Sequence, residues 1–508
     1  DLGSKQLEWI LQQPDLQMKV DHFVFEDRGN ALPEIVLQQV ALDFIKRPAS
    51  LEARLTTGSS LIADKTSLMV SLEKEKLLQG IYNAEVFLNL KSASLPYWKE
   101  TFEDTFILPD TGTTDLNLWM DVSNGTVRQV TGDLLISNLL YRQNHDAGRF
   151  FVDSIGGQYN WLLAEQGWSL QVGQLHINRQ GNRWPDSALL IEYRHDKDNH
   201  FLANADYLRV QDFLPLIDRQ PLVHSLMGDQ LQRVSPRGDI RDLRLQFSTE
   251  EDENLLVDYA MQASIADFSV KAYEDWPGAE GLDGYLAATR QGGLLQLKTT
   301  SALLDLKTIF RDPLRLETLQ GDINWTWLDS GLLIESPRID AANNHSATQS
   351  RLSIHVPDAG AVFLDLQTNF KDGDGAYTSF YLPAVIMGQE AVEWLDKGIV
   401  ASQVDYGSFI FHGTMEDFPF DKNDGRFEVS FKVRDGVLDY YRDWPVIDQI
   451  EAEVSFSGRS MHINASSGRI FGAEIRDTVV QIPDLTLDNP ILLIDGMAET
   501  PAADMFRY

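Results

Sequence analysis

Cysteine is absent from this 508-residue chain, and basic residues are scarce. The lack of cysteine excludes disulfide bonds, thiol nucleophiles and zinc sites with cysteine ligands. The 43 Lys and Arg residues stand against 76 Asp and Glu residues, which gives a formal net charge of -33. Without a surplus of positive charge the chain cannot replace phosphate counterions, so we exclude nucleic acid as a partner. The same deficit argues against docking on an anionic bilayer through a basic patch.

Long apolar runs are missing as well. No stretch approaches the roughly 20 apolar residues of a membrane helix. Because the chain starts at Asp1 without a signal-like segment, we expect it to be an internal piece of a longer protein. What the chain does have is 43% hydrophobic and 10% aromatic residues, enough to fold throughout. We therefore expect several domains, or one extended repeat structure, rather than disorder.

Alternation of apolar and polar residues with a period of two dominates the sequence. The segment Phe427–Arg434 alternates without a fault, and we predict a hairpin turn at the Asp435-Gly436 that follows it. The segment Ala361–Phe370 alternates in the same way, and Asp372–Gly375 is predicted to be a turn. A further hairpin is predicted across Asp322–Glu335. These patterns predict a mainly β protein with antiparallel strands.

Helical patterns are few and short. We predict helices over about Leu208–Ile217 and Pro383–Gly398, and a third within Lys5–Gln13. Proline and glycine fall between the strands rather than in one linker. The only seam that suggests a boundary lies near Arg233–Arg237. Helices of this number cannot cover the apolar faces of so many strands.

One motif is repeated in the chain. Asp275-Trp276-Pro277 returns as Asp443-Trp444-Pro445, each time before alternating strands, and Trp184-Pro185 is a looser third copy. We interpret the tryptophans of these motifs as packing anchors at strand starts. A strand module that recurs in this way predicts an elongated, repeating β-structure. We predict four modules, at residues 1–113, 114–236, 237–376 and 377–508.

Residues that could carry chemistry are scattered. His195 and His200 flank a polar segment that is either a metal site or, as we favour, a hairpin loop. Asp372–Gly375 resembles the start of a calcium loop but lacks the later acidic ligands. The 76 acidic residues are too many to single out a catalytic pair, and no nucleophile elbow or phosphate loop occurs. We predict no catalytic residue, no metal and no cofactor.

The uncovered apolar faces point to a groove. A strand with one apolar face must cover that face, and helices are too few to do so. Separate sandwiches of roughly 100 residues would leave visible seams. A sheet curled into a trough with an apolar inner wall, filled by acyl chains, satisfies the pattern. We therefore predict an elongated, curled antiparallel sheet, a repeating β-groove with a few short helices.

Candidate groove residues can be named from the clearest strands. They are Phe427, Val429, Phe431, Val433, Val454, Phe456, Met461 and Ile463. The competing interpretation is that each is an ordinary core residue packed against another sheet.

The last third of the chain carries a specific pattern. It includes Tyr381-Leu382-Pro383, Trp394-Leu395-Asp396, Gly407–Gly413, Asp417–Phe420, Asp443-Trp444-Pro445 and Phe471-Gly472. This pattern closely resembles the YhdP family of AsmA-like proteins of Gram-negative bacteria. The match is strongest from about Tyr377 to Gly472 and extends in style over most of the chain.

The resemblance implies a function. It implies a non-catalytic protein of the periplasm, tethered to the inner membrane in its full length by an N-terminal anchor that this chain lacks. Such a protein resembles bridge-type lipid-transfer proteins and moves phospholipid between the inner and outer membranes. The implied partners are phospholipid acyl chains, membranes at the ends of the full-length protein, and envelope proteins. The residues themselves leave two alternatives open, a non-catalytic envelope-assembly scaffold and a glycan-binding β-protein.

Overall fold

The computed structural model describes residues 15–25, 35–58, 63–98, 109–142, 149–217, 233–250, 256–274, 276–385, 387–442, 444–487 and 489–501. Lys5–Gln13, where a helix was predicted, lies outside these residues, as do Asp275 and Asp443 of the repeated motif. The chain divides into two compact units, residues 1–217 with 241–259, and residues 218–240 with 260–508. The four predicted modules stay a prediction.

Unit 1 consists of antiparallel strands that pair with their neighbours in sequence, except that β11 passes over the two-residue β10 to pair with β9. The strands are β1 Leu16–Phe25, β2 Ile35–Lys46, β3 Ser50–Thr57, β4 Lys65–Glu73, β5 Ala84–Ser94, β6 Thr111–Ser123, β7 Thr126–Arg142, β8 Arg149–Ala164, β9 Gly167–Arg179, β10 Asn182–Arg183, β11 Ser187–His195 and β12 Asn199–Arg209. The strands β13 Arg237–Thr249 and β14 Leu256–Val270 contribute residues to both units.

Unit 2 repeats this architecture from β14 onward. Its further strands are β15 Gly278–Thr289, β16 Gly292–Asp305, β17 Leu314–Leu328, β18 Gly331–Ala342, β19 Ala347–Pro357, β20 Phe363–Asp374, β21 Ile399–Thr414, β22 Arg426–Leu438, β23 Ile447–Ser457, β24 Ser460–Ile470, β25 Ala473–Ile482 and β26 Leu493–Glu499. Among the strands described, β26 pairs only with β25, so this sheet does not close into a barrel. The predicted mainly β, antiparallel fold is confirmed.

Helices are short, as expected. The described part of the chain has α1 Lys74–Leu78, α2 Val210–Ile217, α3 Thr378–Tyr381 and α4 Gln389–Gly398. The predicted helix at Leu208 begins two residues late because β12 continues to Arg209. The predicted helix at Pro383 begins only at Gln389, because Gly388 has an extended backbone at the N-cap position. The first half of that prediction was wrong.

Two predicted turns are also wrong, for one physical reason. Asp435 has a φ of 50° and sits inside β22, where the pairing with β23 shifts between Val433 and Gly436. Asp372 has a φ of 55° inside β20, and that strand stays paired to Asp374. Asp435 forms a β-bulge, whereas the register of β20 with β21 does not shift at Asp372. Neither aspartate reverses the chain, although an Asp in the left-handed region occurs in turns as well as within strands. The predicted hairpin across Asp322–Glu335 is confirmed, with its turn between β17 and β18.

Bulges recur in several strands of each unit. Positive-φ residues other than glycine lie within strands at Gln39, Ser92, Asn138, Gln174, Asp242, Asp267, Ser301, Asp372, Asp435, Gln449 and Asp477. Each bulge bends its strand and increases the local twist. The slip of register predicted between Val172 and Leu175 is the bulge at Gln174.

The two edges of the unit 2 sheet, formed by the strand ends, differ. At one edge three links are two-residue turns, between β15 and β16, β17 and β18, and β23 and β24, and the links at 358–362, 415–425 and 483–492 are longer. At the other edge only the link at 471–472 is that short, and the rest lie at residues 271–277, 306–313, 343–346, 375–398 and 439–446. We call this second edge the insert edge, because it carries α3 and α4.

Candidate functional site

The eight candidate groove residues share one face of unit 2. Val429 of β22 lies opposite Phe456 of β23, which lies opposite Met461 of β24. A second row across the same strands pairs Phe431 with Val454 and Val454 with Ile463. Directly opposed residues of an antiparallel pair project from the same side of a sheet. Phe427 and Val433 follow the same alternation on β22, so all eight belong to one surface.

This surface extends over the strands on both sides. Opposed pairs carry it through β21, β20, β19 and β18 to β17 and β16, and forward to β25. We call it the apolar face of unit 2, formed by Leu295, Leu297, Ile323, Ile334, Leu352, Leu366, Phe409, Phe411, Val480, Ile482 and the eight candidates. Its most buried part is a cluster around Ile265, Leu282 and Leu297.

The eight candidates are all half-buried. Interior side chains packed between two layers reach nearly complete burial, as Phe411 does at 5% exposure on the same face. A few hydroxyl groups interrupt the face: Ser350 and Thr368 share a hydrogen bond of 2.9 Å, and the Ser336 hydroxyl is buried without a partner among the described residues. The surface is therefore largely apolar, buried at Leu297 and Phe411, and incompletely covered at the eight candidates.

The opposite face of the same strands is polar. On β22 it carries Glu428 and Lys432, and Arg426 at the start of that strand lies 2.8 Å from Glu428. On β19 and β20 it carries Arg351 and Asp365, whose charged atoms are 3.4 Å apart. These surface ion pairs contribute little stability. They do show which side of the sheet faces water.

Unit 1 has the same two-sided construction. Leu88 of β5 lies opposite Leu118 of β6, and Leu118 lies opposite Gly132 of β7. The other side carries a ladder in which Asn89 donates to Asn117 at 2.6 Å and Asn117 donates to Asp133 at 2.7 Å. The apolar side also includes Leu42, Leu55, Leu68, Val70, Val86, Leu90, Leu116, Met120, Val130, Leu134, Ile155, Trp161, Leu170, Val172 and Ile191.

An aromatic ring covers the gap at Gly132. A side chain at this glycine would collide with the Asn117 carbonyl and with Tyr159. The Tyr159 hydroxyl donates to the Asn117 carbonyl at 3.3 Å. Burial, with a smaller contribution from the charge of Asp133, raises the pKa of Tyr159 to about 12. The phenol therefore stays neutral and keeps its proton for this bond.

The insert edge is held by contacts between distant segments. The Arg311 guanidinium makes two hydrogen bonds to Asp396 of α4, at 2.7 and 3.0 Å, and these raise the pKa of Arg311. The Trp394 indole N–H donates to the Tyr440 carbonyl at 3.0 Å. Burial raises the pKa of the Tyr381 hydroxyl. These contacts connect the links that precede β17, β21 and β23, and no sequence pattern predicted them.

Of the two metal candidates, the first forms a hairpin turn and the second caps a 3-10 helix, Gly375–Tyr377. Asp196 accepts backbone hydrogen bonds from Lys197 and from Asp198, the latter at 3.2 Å, in the tip between β11 and β12. The predicted hairpin loop is thus confirmed there. Asp374 accepts from the Ala376 amide at 3.0 Å where β20 ends. Nowhere in the described ranges do three or more His, Asp or Glu residues come together as a metal site would require.

The Trp-Pro tryptophans behave in two ways. Trp184 is 1% exposed and packs edge-on against Tyr207, so it is the packing anchor that we predicted. Trp276 and Trp444 are 63% and 54% exposed, and for them the prediction was wrong. Both lie in links of the insert edge, ahead of β15 and β23, where the chain passes around the strand ends.

Across the segments that the structure describes, no helix is long and apolar enough to cross a bilayer. The chain is 24% identical over 468 residues to the intermembrane phospholipid transporter YhdP of Escherichia coli (strain K12), an alignment that covers 89% of this chain. It spans about a third of that relative, 36% of its length. No solved structure matches significantly. A family model described as YhdP protein matches residues 1–508, so the chain belongs to the YhdP family.

Proposed function

We propose that this chain is a segment of a bridge-like protein that carries phospholipid along its apolar face. The main support for the proposal is the apolar face of unit 2. The strand register aligns all eight candidate residues on it, among them Val429, Phe431, Val454 and Phe456. The face is half-buried and its reverse side is charged. A surface of this kind accepts fatty acyl chains and keeps its other side in water.

The energy of such a face suits lipid movement. Each CH₂ removed from water contributes about 0.8 kcal/mol, so an acyl chain of about 16 carbons gains on the order of 12 kcal/mol. The acyl chain gains a similar free energy when it is buried in a bilayer. Extraction into the groove is then nearly neutral, and a lipid slides along a continuous face without large barriers.

The family supports the proposed compartment and partners. The relative in Escherichia coli is named an intermembrane phospholipid transporter. We place this chain in the periplasm, as part of a longer protein that is tethered to the inner membrane and contacts membranes at its ends. The cargo is phospholipid, with envelope proteins as further partners, and the role is not enzymatic. The net charge of -33 discourages adhesion to anionic membranes along the length of the sheet.

Two alternatives make different demands on the structure. A scaffold needs an interior filled by its own side chains, whereas the eight candidates are all half-buried. A glycan-binding protein needs exposed tryptophans, and Trp276 and Trp444 meet that condition. Family membership favours lipid transport over both.

Lipid extraction from the purified chain tests the proposal. The chain is isolated from a Gram-negative host, exchanged into a volatile buffer and measured by native mass spectrometry, followed by identification of released lipids. We expect complexes heavier than the chain by the masses of phospholipids, and their loss after delipidation. A chain that stays free of lipid, and takes up none from added phospholipid micelles, would contradict the proposal.

A further inference from the structure

The repeated motif marks one kind of turn at the insert edge. The copies are longer than the sequence pattern suggested, since Tyr273 stands three residues before Trp276 and Tyr441 three residues before Trp444. In the first copy the Trp276 amide donates to the Tyr273 carbonyl at 2.9 Å, and in the second the Trp444 amide donates to the Tyr441 carbonyl at 3.1 Å. The copies precede β15 and β23, eight strands apart in unit 2. Both copies lie at the insert edge.

The first copy holds a cation. The guanidinium carbon of Arg233 lies 5.1 Å from the centre of the Tyr273 ring, and the guanidinium also hydrogen-bonds the Tyr273 hydroxyl. A cation at this distance from an aromatic face is attracted by the negative charge of the ring face. The molecule itself thus shows which kind of group this turn binds.

The second copy presents its rings to solvent. Tyr441 is 66% exposed and Trp444 is 54% exposed, with their ring centres 6.5 Å apart and their planes at 87°. Tyr440 packs against Trp444 at 5.9 Å, and its carbonyl accepts the indole N–H of Trp394, which is 45% exposed. We call these four residues the aromatic corner.

The aromatic corner adjoins the apolar face. Ile447 follows Trp444 by three residues and lies opposite Leu438 and Ile470 at the start of β23. Gly436 faces both Val433 and Ile450, which places this end of β23 on the candidate face. A lipid whose tails lie on that face and whose headgroup lies at the insert edge would bring the headgroup to the corner.

The charges near the corner are of both signs. Asp439 and Asp448 flank it in sequence and are exposed, and Asp448 lies opposite Arg469 of β24, whereas Asp396 is already paired with Arg311. Arg442 and Lys397 are also nearby in sequence, and Lys397 lies 3.8 Å from Glu393. The chain as a whole carries a net charge of -33, which opposes anionic headgroups.

We propose that the aromatic corner binds the ammonium group of an amine-bearing phospholipid, of the phosphatidylethanolamine class, whose tails occupy the apolar face. This inference rests on the proposed lipid-carrying function and adds a headgroup preference to it. Cation–π attraction at exposed sites gives a preference of about two- to fivefold over a lipid without the ammonium group.

A competition experiment tests the preference. The purified chain is mixed with equal amounts of phosphatidylethanolamine and phosphatidylglycerol that have the same acyl chains, and bound lipids are counted by native mass spectrometry. We expect about two- to fivefold more phosphatidylethanolamine on the unaltered chain. In the variant Tyr441→Leu/Trp444→Leu the ratio should fall to near one, with total bound lipid unchanged.

Two further variants separate the headgroup role from general effects. Trp327→Leu removes an indole of matched exposure, 55%, from the end of the apolar face that is opposite to the insert edge, and should leave the ratio unchanged. Tyr441→Phe/Trp444→Tyr keeps both aromatic faces and should keep the preference. Should Tyr441→Leu/Trp444→Leu fail to fold, Tyr441→Leu alone replaces it.

The outcomes are distinct. A ratio that the leucine variant does not alter overturns the headgroup inference and leaves the proposed function standing. An equal loss of both lipids also overturns it, because the corner is then a general apolar contact. An unaltered chain that binds neither lipid overturns the proposed function as well.

Discussion

The indole N–H of Trp184 donates to the carboxylate of Asp212 at 2.9 Å. The other oxygen of Asp212 accepts from Arg179 at 2.6 Å, so the buried carboxylate is satisfied by two donors. This arrangement joins the link after β10 to α2. It explains why the Trp-Pro sequence at Trp184 is buried although its counterparts at the insert edge of unit 2 are exposed.

Replacement of Trp184 should therefore destabilise unit 1. Trp184→Phe removes the N–H donor and leaves one oxygen of buried Asp212 unsatisfied, and it removes part of a tightly packed ring. We expect a loss of about 1–3 kcal/mol in the free energy of unfolding, measured by urea denaturation. Trp276→Phe, at a site 63% exposed, is the matched control and should change stability by less than about 0.5 kcal/mol. Equal effects of the two changes would refute the role assigned to Asp212.

A charge on the apolar face should stop lipid binding. Val429→Asp puts a carboxylate where an acyl chain must lie, and desolvation of that group costs enough to lower bound phospholipid by about tenfold or more. Circular dichroism should remain unchanged, because without lipid the carboxylate meets water. Ser430→Asp, one residue along on the opposite face, is the control and should keep its lipid. If Val429→Asp unfolds and Ser430→Asp does not, Val429 belongs to a packed core instead.

The face tolerates no side chain at Gly407. A Cβ at this position would lie 2.3 Å from the Phe370 ring and 2.7 Å from the Phe431 Cβ, so β22 would have to shift. Gly407→Ala should cost about 1–3 kcal/mol in the free energy of unfolding, as for other overpacked sites. Gly173→Ala has nothing within 4 Å of its added carbon and serves as the control in thermal melts. A neutral Gly407→Ala would mean that the strands are less closely packed than this geometry requires.

The stability of the link after β25 should depend on acid pH through Asp484. Hydrogen bonds from Thr486 and Arg459 lower the pKa of Asp484 from 3.8 to about 2. Because the folded state favours the ionised form, this contribution is complete above pH 3.8 and is lost as the pH falls towards 2. Asp484→Asn should therefore be less stable than the unaltered chain at neutral pH.

Denaturant unfolding at several pH values measures this difference. The gap between the chain and Asp484→Asn should stay constant from neutral pH to about pH 4 and disappear near pH 2. Thr486→Val removes the largest cause of the shift and should raise the pH at which the gap closes. A gap that persists unchanged at pH 2 would contradict the assignment.

Alternation in the sequence predicted the faces correctly and some turns incorrectly. Side chains on Phe427–Arg434 project alternately whatever their neighbours do, so the shared face of Phe427, Val429 and Phe431 followed from period two alone. The direction of the chain after Asp435 did not follow from this alternation, because an aspartate with positive φ before a glycine occurs in turns and in bulges alike. Pairing of Gly436 with Ile450 of the next strand decides between them, and that partner is not local in sequence.

The local sequence pattern also could not predict which of the aromatic residues are exposed. Trp184 and Trp444 are each followed by proline, yet one is buried and the other exposed. The difference depends on Asp212 and Tyr207, which approach Trp184 from segments more than twenty positions away. The tyrosine three residues before Trp276 and Trp444 was a usable signal, and it separates the two exposed copies from Trp184.

The bulges have an evolutionary consequence. A strand that already contains one extra residue, as β9 does at Gln174 and β22 at Asp435, loses or moves that residue without unpairing its ends. In alignments of homologous chains, single-residue gaps should therefore gather at these interior positions rather than in the tight two-residue reversals such as that after Leu328. The sheet changes its length and coiling by one amino acid at a time, in the middle of its strands.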